Sequence, residues 1–182
     1  MDWRGHHTLE RGLPWLVPEA IVAIDAFLRA DMRVLEVGAG GSTIFFAERV
    51  AAVESYETSP AWAAQVQAEL DARRLANVTI TVLQVGWRGR CNAIAIAPTG
   101  MCDVAVVDCD WRKLNRGHAI ARVSPFVRPG GILVLDNYAV WGGEYAPELL
   151  AGWGVETYNA PADIGVRSGY RGRGTQIYRR PQ

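Results

Sequence analysis

Residues 33–49, RVLEVGAGGSTIFFAER, set the tightest limit on what this chain can fold into. A short apolar run meets a glycine turn, and a helical pattern follows at once. The same alternation runs along the chain. Apolar, β-rich runs lie at 33–37, 50–57, 78–85, 103–108 and 131–136. Helical patterns lie at 18–30, 42–49, 59–75, 113–127 and 144–152, and two further strand-like pieces follow at 154–158 and 175–180. The five runs are nearly continuous, as expected for strands buried on both faces. Alternating strand and helix predicts an α/β chain: a mostly parallel sheet of seven strands, doubly wound by helices on both faces. The helix at 59–75 is the best defined. Ser59 can cap it, Pro60 suits its first position, and apolar residues recur at helical spacing.

Bulk properties narrow the function. At 182 residues a single domain spanning 1–182 is expected, with 1–17 as an N-terminal arm or lid. Lys+Arg and Asp+Glu are both 19, so no global charge argues for a nucleic-acid partner. Cys91, Cys102 and Cys109 lack metal-site spacing and read as reduced thiols of a cytoplasmic protein. No window stays apolar for the roughly 18 residues a membrane span needs, and the N-terminus lacks an apolar signal core.

In a doubly wound sheet, ligands bind beyond the carboxyl ends of the strands. Gly38 and Gly40 match the first two positions of a dinucleotide fingerprint, but Thr43 stands at the third. Glu36, two residues before Gly38, would repel a pyrophosphate and suits a ligand with an amino group. Both features disfavour an NAD-dependent oxidoreductase. Glu57 ends the next run about twenty residues beyond the glycines, where an acid can accept both ribose hydroxyls. A ribose carrying an amino-acid tail satisfies both acids, and S-adenosylmethionine is such a ligand.

VLEVGAGGST, VESYETSPAW, DVAVVDCD and RPGGILVLDN follow in order over roughly residues 32–138. Together they resemble the successive motifs of the class I S-adenosylmethionine-dependent methyltransferases. The resemblance implies a Rossmann-like fold closed by an antiparallel C-terminal hairpin. It implies that Glu36, Gly38, Gly40 and Ser42 line the methionine end of the cofactor. Glu57 would hold the ribose, with Thr58 and Ser59 beside it, and Asp108 would close the far side near the sulfonium. Many members carry an acid or polar residue after the third strand for adenine. Here Gln84, Val85, Gly86 or Trp87 must serve.

Asp108, Asp136 and Asn137 all fall just past strand ends, and three such oxygen donors suit Mg²⁺. This pattern resembles the metal-dependent catechol and caffeoyl-CoA type O-methyltransferases, where the corresponding residues bind a cation that orients substrate hydroxyls. That subfamily usually places a lysine three residues after the first aspartate, where this chain has Trp111. Without a metal, a general base takes the proton or the substrate arrives ionised, and Asp110, His118 and Asp136 are the candidate bases.

Three segments are candidates for substrate selection. They are the N-terminal arm with Trp3, Pro14 and Trp15, the stretch with Tyr138, Trp141 and Tyr145, and a loop with Arg167, Arg171 and Arg173. Aromatics there suit a planar small molecule, and the arginines suit a carboxylate or phosphate. His6 and His7 carry no assignable role. The expected activity is methyl transfer to a small molecule at oxygen, with a catalytically inactive cofactor-binding protein as the alternative. Trp and Tyr residues near the tail are candidates for a homodimer contact.

Overall fold

The computed structural model describes residues 8–84, 86, 90–110, 112–138, 146–159 and 174–182. The elements are α1 (Thr8–Arg11), α2 (Pro18–Phe27), β1 (Arg33–Val37), α3 (Gly41–Ala47), β2 (Ala52–Glu57), α4 (Pro60–Ala72), β3 (Val78–Val82), β4 (Cys102–Val107), α5 (Arg116–Val123), β5 (Val127–Asp136), β6 (Gly154–Tyr158) and β7 (Thr175–Arg179), with a helical turn at Ala146–Leu149 before β6. One seven-stranded sheet runs in the order β3-β2-β1-β4-β5-β7-β6. Strands β1 to β5 are parallel, and β7 is antiparallel to both its neighbours. The Rossmann-like sheet expected from the sequence, including the antiparallel C-terminal hairpin, is present.

The apolar runs are continuous because successive side chains enter two different cores. Val34, Val104, Val106, Ile132 and Val134 face one layer with Ile24, Ile44, Phe46, Val66 and Leu70. Leu35, Val37, Ala105, Val107, Leu133 and Leu135 face the other, with Ile120 and Val123. Fully burying each such side chain contributes about 1.5–3 kcal/mol before chain entropy is set against it. Strand β3 departs from the expected pattern. Val78 and Ile80 pack on the first core, while Thr79 and Thr81 are exposed, so this edge strand alternates.

Helix α4 starts as expected. Ser59 Oγ accepts from the Trp62 N–H at 3.4 Å, and Pro60 occupies the first turn. Helix α5 is shorter than the 113–127 pattern. Asn115 caps it by accepting from the His118 N–H at 2.9 Å, and Pro125 ends it in a 3₁₀ turn, Ser124–Phe126. Before it, the Lys113 and Leu114 amides close a turn on the Asp110 carbonyl. Helix α2 stops at Phe27 rather than residue 30. Within the expected helix at 144–152, the described helical residues are Ala146–Leu149.

Residues 8–17 belong to the packed body. Leu16 and Val17 are buried in the first core, and the Val17 N–H donates to Thr175 Oγ1 at 3.2 Å. Arg73 reaches the Glu10 carbonyl at 2.5 Å. Trp15 is half exposed, and Trp3, His6 and His7 lie outside the described residues. Cys91, Cys102 and Cys109 are buried and unbridged. Among the described residues no helix is long and apolar enough to cross a membrane.

Candidate functional site

Sheet register assembles the site. Tyr56 pairs with Val37, Val37 with Val107, and Val107 with Leu135. The next residue on each strand is therefore Glu57, Gly38, Asp108 and Asp136, in one row along the carboxyl edge. The strand order reverses between β1 and β4, so Gly38 and Asp108 flank the switch point where such sheets bind ligands.

Gly38 sits at φ +105°, and a Cβ there would lie 2.3 Å from the Asp108 carbonyl oxygen. Its N–H donates to the Tyr56 carbonyl at 2.8 Å, while the Asp108 N–H donates to Val37 at 2.9 Å. The turn is thus clamped between the ends of β2 and β4, and only glycine fits. Gly40 is different. Its φ of 174° is extended backbone, and the nearest atoms to a Cβ would be those of Trp62 at 4.0 Å. The Trp62 indole N–H holds the loop by donating to the Ala39 carbonyl at 2.7 Å.

Glu36 lies beneath the loop. It is fully buried. Ser42 donates to Oε1 at 2.5 Å, and Thr43 and Ser55 donate to Oε2 at 2.6 and 2.8 Å. Thr43 Oγ1 in turn accepts the Gly40 N–H at 2.8 Å. Glu36 and Ser42, expected at the methionine end of a cofactor, form with Thr43 and Ser55 a brace joining β1, β2 and α3. Burial pushes the Glu36 carboxyl up to about 7, against the pull of the three hydroxyls, with Asp108 adding to the rise.

Glu57 adjoins the loop as expected. Its Oε2 accepts the Ala39 N–H at 3.0 Å, and its Oε1 accepts the Thr58 and Ser59 N–H groups at 2.6 and 2.7 Å. Thr58 Oγ1 adds a longer bond at 3.2 Å. An acid so fixed at a strand end suits the paired hydroxyls of a ribose. Leu83 continues from β3 by donating to the Glu57 carbonyl at 2.7 Å, which brings the segment after β3 to the same edge. Of the adenine candidates there, Gln84 and Gly86 are exposed, while Val85 and Trp87 lie outside the described residues.

Arg116 has no place in the sequence reading, yet it organises the far half of the row. It opens α5 and is 5% exposed. Nη2 donates to Asp108 Oδ1 at 2.7 Å, Nε donates to the Cys109 carbonyl at 3.0 Å, and Nη1 donates to the Asp136 carbonyl. Burial works against its charge, but Asp108, Cys109 and Asp136 outweigh that and raise its basicity.

These contacts test the expected Mg²⁺ site. Asp136 is buried, with Oδ1 accepting from Thr175 at 2.9 Å and Oδ2 accepting from the Asn137 amide. Asn137 takes a left-handed φ of 54°, which asparagine tolerates. Asp108 already shares an oxygen with a fixed positive charge, so a divalent ion on that carboxylate would be repelled by the guanidinium. Asp108, Asp136 and Asn137 are adjacent, but as arranged they do not fit a cation. Among the described residues no group of His, Cys, Asp and Glu is arranged to hold a metal ion.

The proposed bases separate as well. His118 is exposed on α5, and its ring makes no hydrogen bond among the described residues. Asp110 Oδ1 accepts the Arg112 N–H at 3.0 Å and serves its own turn. Tyr138 donates to Asn159 Oδ1 at 3.1 Å. Trp111, Trp141, Tyr145, Arg167, Arg171 and Arg173 lie outside the described residues.

No family model matches the chain, and no curated protein matches it by sequence. Solved structures do match by shape. An O-methyltransferase of tomaymycin synthesis from Streptomyces achromogenes, solved with S-adenosylmethionine, superposes at TM-score 0.65 and 20% identity, covering 98% of this chain and 91% of that one. An rRNA methylase from Streptococcus thermophilus gives 0.64 and 13%, covering 87% and 92%. The chain has the class I S-adenosylmethionine-dependent methyltransferase fold. A third match shows the chemical breadth of this fold. It is a precorrin 8w decarboxylase from Methanobacterium thermoautotrophicum, with TM-score 0.58 and 18% identity, covering 88% and 86%.

Proposed function

We propose that this chain is an S-adenosylmethionine-dependent methyltransferase acting on a small molecule, at oxygen. The observation that carries the reading is the row Glu57, Gly38 and Asp108 at the switch point of a class I methyltransferase fold. The residues fit the cofactor: a fixed acid beside the glycine loop for the ribose, and a second carboxylate across Gly38. When bound, S-adenosylmethionine supplies a methyl group on a sulfonium, which passes to the substrate oxygen and leaves S-adenosylhomocysteine. The protein's part is to align the partners and exclude water. Gly38 lets the loop lie flat against Asp108, and Trp62 fixes the loop's height. Asp108 keeps Oδ2 free of hydrogen bonds among the described residues, so it is the acid best placed to accept a proton or a substrate hydroxyl.

Glu57→Gln removes the charge and turns one acceptor oxygen into a donor facing the backbone N–H groups of Ala39 or of Thr58 and Ser59. A hydrogen bond to a charged group is worth about 1.5–3 kcal/mol, so S-adenosylhomocysteine should bind roughly ten- to hundredfold more weakly. Calorimetric titration of both proteins reads this directly, and equal affinity would remove Glu57 from the ribose site.

Incubation with methyl-labelled S-adenosylmethionine and a panel of small phenols and hydroxy acids tests the activity. Label in a product sensitive to catechol but not to thiol competitors supports oxygen transfer. The second reading, cofactor binding without transfer, is favoured by the exposure of His118 and the burial of Asp136. Intact S-adenosylhomocysteine binding with no transfer to any acceptor would select it.

A further inference from the structure

We infer, on the methyltransferase reading above, that the Arg116 guanidinium is this site's built-in cation, serving without a divalent ion, and that it positions Asp108 for the ligand. Three acceptors from two strand ends converge on it: Asp108 Oδ1 at 2.7 Å, the Cys109 carbonyl at 3.0 Å and the Asp136 carbonyl. Asp108 and Cys109 directly follow β4, and Asp136 ends β5, so one side chain ties the two strand ends together.

A buried ion pair gives little over apolar packing of the same volume. What the guanidinium adds is direction. It holds one Asp108 oxygen from the buried side and leaves Oδ2 for the ligand. The Asp108 side chain remains 28% exposed while that of Arg116 is 6% exposed. The Asp136 carboxylate accepts from Thr175 and Asn137 and adds its charge to the field that stabilises the guanidinium. Arginine suits this task because its planar fork serves several acceptors at fixed angles, which lysine cannot do.

The test uses the whole chain after EDTA dialysis, saturated with S-adenosylhomocysteine. Equimolar Mn²⁺ is added and its electron paramagnetic resonance is followed, since bound Mn²⁺ loses the free-ion signal. The expected result is an unchanged signal, with the same S-adenosylhomocysteine affinity in EDTA and in Mg²⁺. Stoichiometric Mn²⁺ uptake that disappears in Asp108→Asn would overturn the proposal. Arg116→Lys gives a second arm. Keeping the charge but losing the fork should weaken S-adenosylhomocysteine binding about tenfold in a folded protein. A lowered melting temperature with unchanged affinity would make Arg116 purely structural and overturn its positioning role. If the lysine variant does not fold, the Mn²⁺ arm still decides. Failure of the folded wild type to bind S-adenosylhomocysteine at all would sink the methyltransferase reading itself, a distinguishable outcome.

Discussion

Gly38→Ala should lower the melting temperature by roughly 10 °C, while Gly40→Ala should change it by about 2 °C or less. At Gly38 a methyl group would sit 2.3 Å from a backbone oxygen that the β4 ladder holds in place. The φ of +105° adds conformational strain. Strain of this kind costs about 1–3 kcal/mol and overpacking about as much again. Together these approach about 4 kcal/mol, and in a chain this size each kcal/mol moves the melting point by about 2–4 °C. Gly40 has extended backbone and ordinary contact distances around its missing Cβ, so neither cost arises. Thermal unfolding followed by circular dichroism of the two variants checks this. Equal destabilisation by both would mean that the clamp between Gly38 and Asp108 is not as described.

The second large effect is a pH dependence written into Glu36. Its carboxyl titrates near 7 in the folded protein against 4.5 unfolded. Below pH 4.5 both states hold the proton, and the full stability is present. Between 4.5 and 7 the unfolded chain releases its proton while the folded one keeps it, so stability falls as pH rises. Above 7 both are ionised and the loss levels off at on the order of 3 kcal/mol. Glu36→Gln has no such proton. Groups uncoupled from Glu36 titrate equally in both proteins, so the difference between them reports Glu36 together with its coupling to Asp108. Urea unfolding at pH 4.5 and pH 8 should show the difference moving toward the glutamine variant by on the order of 3 kcal/mol. A difference that does not change with pH would show that Glu36 ionises normally beneath the loop.

Glu36 drew notice in the sequence for its position before the glycines. Its burial was legible from strand alternation, because Glu36 shares a face with Val34, the face that α3 covers, and its neighbour in register is Ser55. The placement of Glu57, Gly38, Asp108 and Asp136 was legible because each directly follows an apolar run, and parallel strands in register bring such residues into one row. The start of α4 followed Ser59 and Pro60, local signals that need no tertiary context, whereas the 113–127 pattern overran α5 at both ends. Arg116 and Trp62 were not legible. Their partners lie 7 to 23 residues away and are mostly backbone carbonyls, which no side-chain pattern reveals. The Asp108, Asp136 and Asn137 trio was read as a metal site because residue types alone cannot show that a guanidinium already holds the first of them.

The central claim is that this carboxyl edge binds S-adenosylmethionine. Calorimetric titration of the folded chain with S-adenosylhomocysteine, in buffer containing EDTA, tests it most directly. The account predicts one site of micromolar affinity with no requirement for a metal ion. No heat of binding from protein shown to be folded would contradict it, and would leave the Glu57, Gly38 and Asp108 row as the architecture of a site for some other ligand.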